Sequence, residues 1–207
     1  PNGPGVDTVA YTGQPTIPNG EYVIQVSTPT FRHFDANGFW LEGHDENYPE
    51  WASGDLRLLQ GAVNWRPNEK LRIGATYYWA QVDRRTDHSL NNVGRIPRLT
   101  IEYQLSRPIF LRVVGQYVQQ KTDSLRDNSR TELPIYIAQP NGSLVRAAAQ
   151  ESDFFHADVL FSYQPNPGTV FYAGYGSDQV EPKAFHFNPF TRLDDAFFVK
   201  FSYLLRM

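Results

Sequence analysis

The chain has 207 residues, 19 basic against 22 acidic side chains, a formal net charge of −3 and no cysteine. That length allows one barrel or sandwich domain or a small two-domain protein; the charge offers no basic field for nucleic acid, and disulfide or thiolate chemistry is excluded. Hydrophobic residues make up only 41%, and 14 Phe, 12 Tyr and 4 Trp carry an unusual share of them in a chain of mean hydropathy −0.49.

No apolar run approaches the roughly 20 residues that a membrane helix needs. A membrane strand needs only about 9–11, half of them apolar. The chain opens on Pro1 with no leader, which reads as a mature or truncated product.

Residues 1–20 hold four Pro and four Gly and read as a loop or linker. From 21 onward, period-2 alternation dominates. A short strand is expected at 21–27. The stretch 28–54 reads as a long loop, and strands follow at 56–65 and 71–82, where Leu71, Ile73, Ala75, Tyr77 and Trp79 oppose Arg72, Gly74, Thr76 and Tyr78. Over 96–105, Leu99, Ile101, Tyr103 and Leu105 oppose Arg98, Thr100, Glu102 and Gln104; over 109–119, Ile109, Leu111, Val113 and Tyr117 oppose Arg112 and Gln116. The segment 154–163 sets Phe155, Ala157, Val159, Phe161 and Tyr163 against His156, Asp158 and Ser162, and 169–178 is similar. The last strand places Phe197, Val199, Phe201, Tyr203 and Leu205 on one face, and Phe198, Lys200, Ser202, Leu204 and Arg206 on the other. That makes eight strands.

Short Pro/Asn/Gly-rich connections at 67–70, 106–108 and 164–168 suit tight turns; long ones are expected at 28–54, 83–95, 120–152 and 182–194. Aromatics mark both ends of the apolar faces: Trp65, Tyr103, Tyr163 and Tyr203 towards the short turns, Tyr77, Trp79, Tyr117, Phe155 and Phe197 towards the long loops. Two ring girdles with aliphatic residues between them are what two membrane interfaces require. The predicted fold is all-β: an antiparallel transmembrane β-barrel over 21–207, either closed by these eight strands or part of a larger barrel. A soluble sandwich also alternates, but its strands usually stop at about 5–6 residues.

Strand parity puts the C-terminus on the short-turn side, which is periplasmic in a bacterial outer membrane. The inward charges would be Arg72, Arg98, Glu102, Arg112, Asp158 and Lys200, lining either a weakly anion-biased pore or an internal ion-pair plug. His156 and Asp158 read as hydrated lining residues, since no third metal ligand has a readable spacing. His88-Ser89 in a loop and an inward Ser162 do not assemble a hydrolase nucleophile and base. No phosphate-binding glycine loop occurs, no cofactor is implied, and no catalytic constellation is readable. The segment 30–51 is the most chemically loaded: Asp35, Asn37, Trp40, Tyr48 and Trp51 could stack on and hydrogen-bond a glycan or other ligand, and loop 120–152 could share that role. Its 35–38 run matches only part of a calcium loop.

The end of the chain, DDAFFVKFSYLLRM, resembles the terminal strand by which Gram-negative barrels are read by the barrel-assembly machinery; it finishes on Arg206-Met207 in place of an aromatic residue. The segments DLRLLQGAVNWRPNEKLRIGATY, RIPRLTIEYQLSRPIFLRVVGQYV and VLFSYQPNPGTVFYAGYGSD resemble the C-terminal barrel of an uncharacterised bacterial outer-membrane family. In that family the barrel follows a family-nine-like carbohydrate-binding domain. The resemblance covers about 55–207 and implies an outer-membrane anchor or pore. The implied partners are membrane lipid, the assembly machinery, and a surface glycan or other subunits of an outer-membrane complex.

Overall fold

A computed structural model describes residues 8–181, 185–186 and 189–204. Alternation becomes very long strands. The main sheet contains β1 (Gly20–Ser27), β2 (Phe34–Asn47), β3 (Ala52–Trp65), β4 (Leu71–Arg84), β5 (Leu90–Ser106), β6 (Ile109–Thr122), β9 (Gln150–Asn166), β10 (Thr169–Val180) and β11 (Thr191–Tyr203), every neighbouring pair antiparallel. A separate hairpin, β7 (Tyr136–Ala138) and β8 (Leu144–Arg146), lies within the loop between β6 and β9. The sheet is all-β, antiparallel and open, with β1 and β11 as its edges. Leu205 and Arg206 lie outside the described residues, as do residues 1–7.

Two expectations are corrected. The stretch 28–54 is not one loop: β2 runs through its middle, so nine long strands form the sheet. The strand escapes a periodicity reading because glycine falls on both of its faces (Gly38 and Gly43) and neither face keeps one character: one turns from apolar to polar after Trp40, and the other is polar at both ends around Phe39 and Leu41. The connection expected at 83–95 shrinks to 85–89, because β4 and β5 continue as a polar hairpin. Short turns at 28–33, 66–70, 107–108 and 167–168 stand at one end. The opposite end, called the rim below, carries the 3₁₀ turn Tyr48–Glu50, the connection 85–89, the loop 123–149 and the described residues of the connection between β10 and β11.

The register reveals how the strands lean. One row of directly paired residues runs Phe34, Trp65, Ile73, Ile101, Val113, Val159, Tyr175 and Phe197. It meets β2 at its first residue, β4 at its third, β6 at its fifth and β10 at its seventh. The stagger is one residue per strand. With about 3.3 Å rise per residue and about 4.8 Å between strands, it corresponds to a tilt of about 35° when the short turns are level. Sheets that wrap into barrels lean by a similar amount.

Directly paired residues share a face, so that row also fixes the faces. The apolar face assigned from alternation is continuous across all nine strands, from Tyr22, Ile24 and Val26 on β1 to Phe197, Val199, Phe201 and Tyr203 on β11. It turns polar at a common level: Glu42 follows Trp40, Arg57 precedes Leu59, Gln81 follows Trp79, Gln119 follows Tyr117, and Asp195 precedes Phe197. The apolar stretch is up to nine residues per strand. At about 3.3 Å per residue and the derived tilt it stands about 24 Å tall, close to the apolar band of about 25 Å on membrane barrels.

No second protein layer covers this band among the described residues, and the main packing contacts join only hydrogen-bonded neighbours. Mid-band Val113, Leu99 and Val199 remain 37%, 46% and 56% exposed. The buried side chains lie largely at the rim and are mostly polar, including Asn47, Glu50, Asp83, Arg84, Asn91, Asp127 and Asn128. A water-soluble fold has the opposite distribution, with apolar groups inside and charges outside.

Candidate functional site

Three surfaces carry chemistry: the apolar face, the polar face and the rim.

On the apolar face, aromatic side chains sit near both edges of the band. Trp40 stacks on Trp79 across β3, with ring centroids 6.0 Å apart. Phe185 and Phe190 of the 181–190 loop fold over this face at rim level, onto Tyr117 and Phe155 respectively. The Tyr117 hydroxyl donates to Glu181 and accepts from the Phe185 N–H at 3.0 Å. Tyr117, expected as an open girdle ring, is therefore almost fully buried. Above Trp40, Glu42, His44, Asp55, Arg57, Asp83 and His88 line a groove of about 1130 Å³ beside β1. Within it His44 and His88 approach the two Asp55 oxygens at 2.8 and 3.4 Å, and Arg57 pairs with Asp83.

The polar face holds all six expected inward charges. Arg72, Glu102 and Arg112 occupy one register row, with Arg72 and Glu102 3.8 Å apart. Arg98 begins another row through Gln116, His156 and Asp178. Its guanidinium donates to Gln116 Oε1 at 3.2 Å, and His156 lies between Asp178 and Asp158, the latter at 2.8 Å. Lys200 stands apart on edge strand β11, opposite Tyr172. In this ladder Arg72 pairs with Glu102 and Asp158 with His156, while Arg98 is bonded to a neutral amide. Among the described residues no group of three or more His, Asp or Glu is arranged to hold a metal.

The five possible ligand contacts do not form one site. Asp35 and Asn37 lie near the short turns, where Asp35 accepts from Asn64 at 2.8 Å and pairs with Arg66 at 2.5 Å. Trp40 occupies the opposite face. Tyr48 and Trp51 lie at the rim, a strand length of about 40 Å from Asp35 at 3.3 Å per residue. They are 65% and 61% exposed. Trp51 is held there by a left-handed backbone (φ 42), and its carbonyl accepts from the Gln14 N–H at 2.7 Å. Gly13 (φ +65) passes so close that a Cβ would fall 2.4 Å from Trp51 Cβ, so only glycine fits.

Sequence reasoning missed the rim's centre. Arg84 grips both Glu50 oxygens through Nε and Nη2 (2.6–3.0 Å), and its Nη1 donates to Asp123 at 2.8 Å. Glu50 also accepts from Asn47 at 2.9 Å and from the Arg126 N–H at 3.0 Å, and Arg84 donates to the Leu90 and Ser124 carbonyls. Both side chains of the pair are essentially without solvent contact. The network ties β2, β4 and β5 to loop 123–149. Around it, burial raises the Tyr11 hydroxyl to about 12, with help from the Asp127 and Glu50 charges. The Arg126 hydrogen bond holds Asp87 well below the usual carboxylate range. Glu50 and Arg84 are 34 residues apart, and no spacing rule joins them.

The geometry describes a wall with one apolar and one polar face, capped by a hydrogen-bonded rim. Comparison with known protein families, curated proteins and solved structures finds no match for the chain.

Proposed function

We propose that the chain forms wall strands of a bacterial outer-membrane β-barrel that acts as a membrane anchor or pore. In this reading the short turns and the C-terminal end face the periplasm, and the rim stands at the cell surface. The observation that carries it is the exposed apolar band of about 24 Å, which among the described residues is covered only at rim level, by Phe185 and Phe190, and is bounded by polar residues at one level. Exposed apolar surface of that extent marks a membrane or an interface. The polar face, with its mixed charges, would line the interior. Produced in a Gram-negative cell in its natural context, the protein is expected in the outer-membrane fraction after alkaline carbonate washing, with heat-modifiable gel mobility. Release into the wash would end this reading. Planar-bilayer recording separates anchor from pore.

A second reading, surface glycan binding, draws on the exposed Tyr48 and Trp51 at the rim turn. Glycan-array binding lost in Trp51→Ala, with membrane fractionation unchanged, would support it. Equal binding by the variant would remove it.

A further inference from the structure

The two edges of the sheet run in the same direction. β1 starts at the rim, with Gly20 opposite His44, and ends at the short turn 28–33. β11 also starts at the rim and ends with Leu204 N–H bonded to the Gly168 carbonyl at 2.8 Å, beside the short turn 167–168. Nine antiparallel strands must end this way. Closing the sheet on itself would therefore join β1 to β11 in parallel.

Along the apolar band neither edge is guarded. Proteins blunt free edges with proline, charged residues, bulges or very short strands. β1 carries no Pro, Lys or bulge, and on β11 the bulge at Leu193 and the charges Arg192, Asp194 and Asp195 gather at the rim end, leaving 196–203 with no Pro and Lys200 as its one charge. Every residue of both strands is exposed, including Tyr22 and Ile24 on one edge and Phe197 and Phe201 on the other. An edge with unpaired N–H and C=O groups does not persist in hydrocarbon. A second copy does not solve the problem. Placed with its rim on the same side, it offers the same two downward strands and again pairs in parallel. Inverted, it would put its polar rim on the wrong side of the membrane.

We infer that both edges are pairing surfaces for a β-segment outside these 207 residues that contains an odd number of strands. The two outermost strands of that segment run from the short-turn side to the rim. One joins β1 and the other joins β11, so every seam is antiparallel, the ordinary arrangement of outer-membrane barrels. This inference rests on the membrane-barrel reading.

The test uses the whole protein in its native membrane, with benzoylphenylalanine in place of Val23 or Phe198. Both side chains lie on the polar face of an edge strand, away from lipid. After illumination, mass spectrometry should find each probe joined to peptides outside these residues. A cross-link between β1 and β11, within one chain or between copies, would overturn the inference. So would the absence of any protein cross-link at either probe. A third probe at Val113, mid-band on the apolar face, separates the two readings: it should label lipid. If it labels protein, the barrel reading fails as well.

Discussion

The same strands pass through two regions with opposite chemistry. From the short turns up to Trp79 on β4 and Tyr117 on β6, the outward residues are apolar, and mid-band Val113, Leu99 and Val63 stay exposed. Beyond that level, charged and amide side chains such as Asp83, Arg84 and Asn91 are buried, held by Glu50 and the 123–149 loop. In the band, cohesion comes from the backbone ladder, and on the proposed reading the side chains meet an apolar solvent. At the rim, side chains bind one another, and on the same reading water is the solvent. Burial alone therefore says little about this chain. What matters is which medium each level is built to meet.

The largest effect should come from breaking the rim. Glu50→Ala leaves buried Arg84 with Asp123 as its remaining carboxylate partner and should cost up to about 3–5 kcal/mol. Trypsin should then cut rapidly at Arg126 and Arg130, while amide exchange in the band stays slow. A rim as resistant as the parent's would mean that the ion pair does not organise the loop.

Next comes the band. Val113→Lys should cost about 2–4 kcal/mol near the bilayer midplane, as lipid-facing lysines do. Its denaturant midpoint, followed by heat-modifiable mobility, should drop accordingly. If the sheet stood in water, an exposed Val113 could become Lys for within about 0.5 kcal/mol.

A smaller effect sharpens the rim side. Asp87 is held low chiefly by its hydrogen bond from Arg126 at 2.7 Å, with Ser89 adding to it. A depressed folded-state pKa stabilises the rim above the unfolded value of about 3.9, and that contribution is lost as pH falls through the folded one. Protection of the 85–89 amides, taken relative to their intrinsic exchange rates, should fall from about pH 4 downward, and Asp87→Asn should flatten that dependence. The pair is half exposed, so the change should be modest.

The band was legible in the sequence because a strand with one apolar face shows a period of two. Ile109, Leu111, Val113 and Tyr117 declare their face without any knowledge of partners, and the register confirms it. β2 was not legible. Its aromatic and acidic residues resemble a binding loop until pairing places Phe34 against Trp65 and Trp40 against Leu59. The rim was invisible for a different reason. Glu50, Arg84 and Asp123 come from three separate places, the 48–50 turn, the end of β4 and the loop 123–149, and buried polar networks obey geometry, not periodicity. Of the six inward charges, alternation found the shared face but not the pairing of Arg72 with Glu102 or of Arg98 with Gln116.

The claim beneath all of this is that hydrocarbon touches the uniform face. These 207 residues contain no cysteine, so cysteines introduced singly along 109–117 can carry nitroxide labels in the membrane-embedded protein, with any cysteine outside them replaced. The account predicts high oxygen and low nickel-chelate accessibility at 109, 111, 113 and 115, with a weaker oxygen signal at Tyr117 beneath Phe185, and the oxygen signal falling at each even-numbered position between. Labels at 111 and 113 that are immobile and closed to both reagents, as in a sealed protein core, would contradict it.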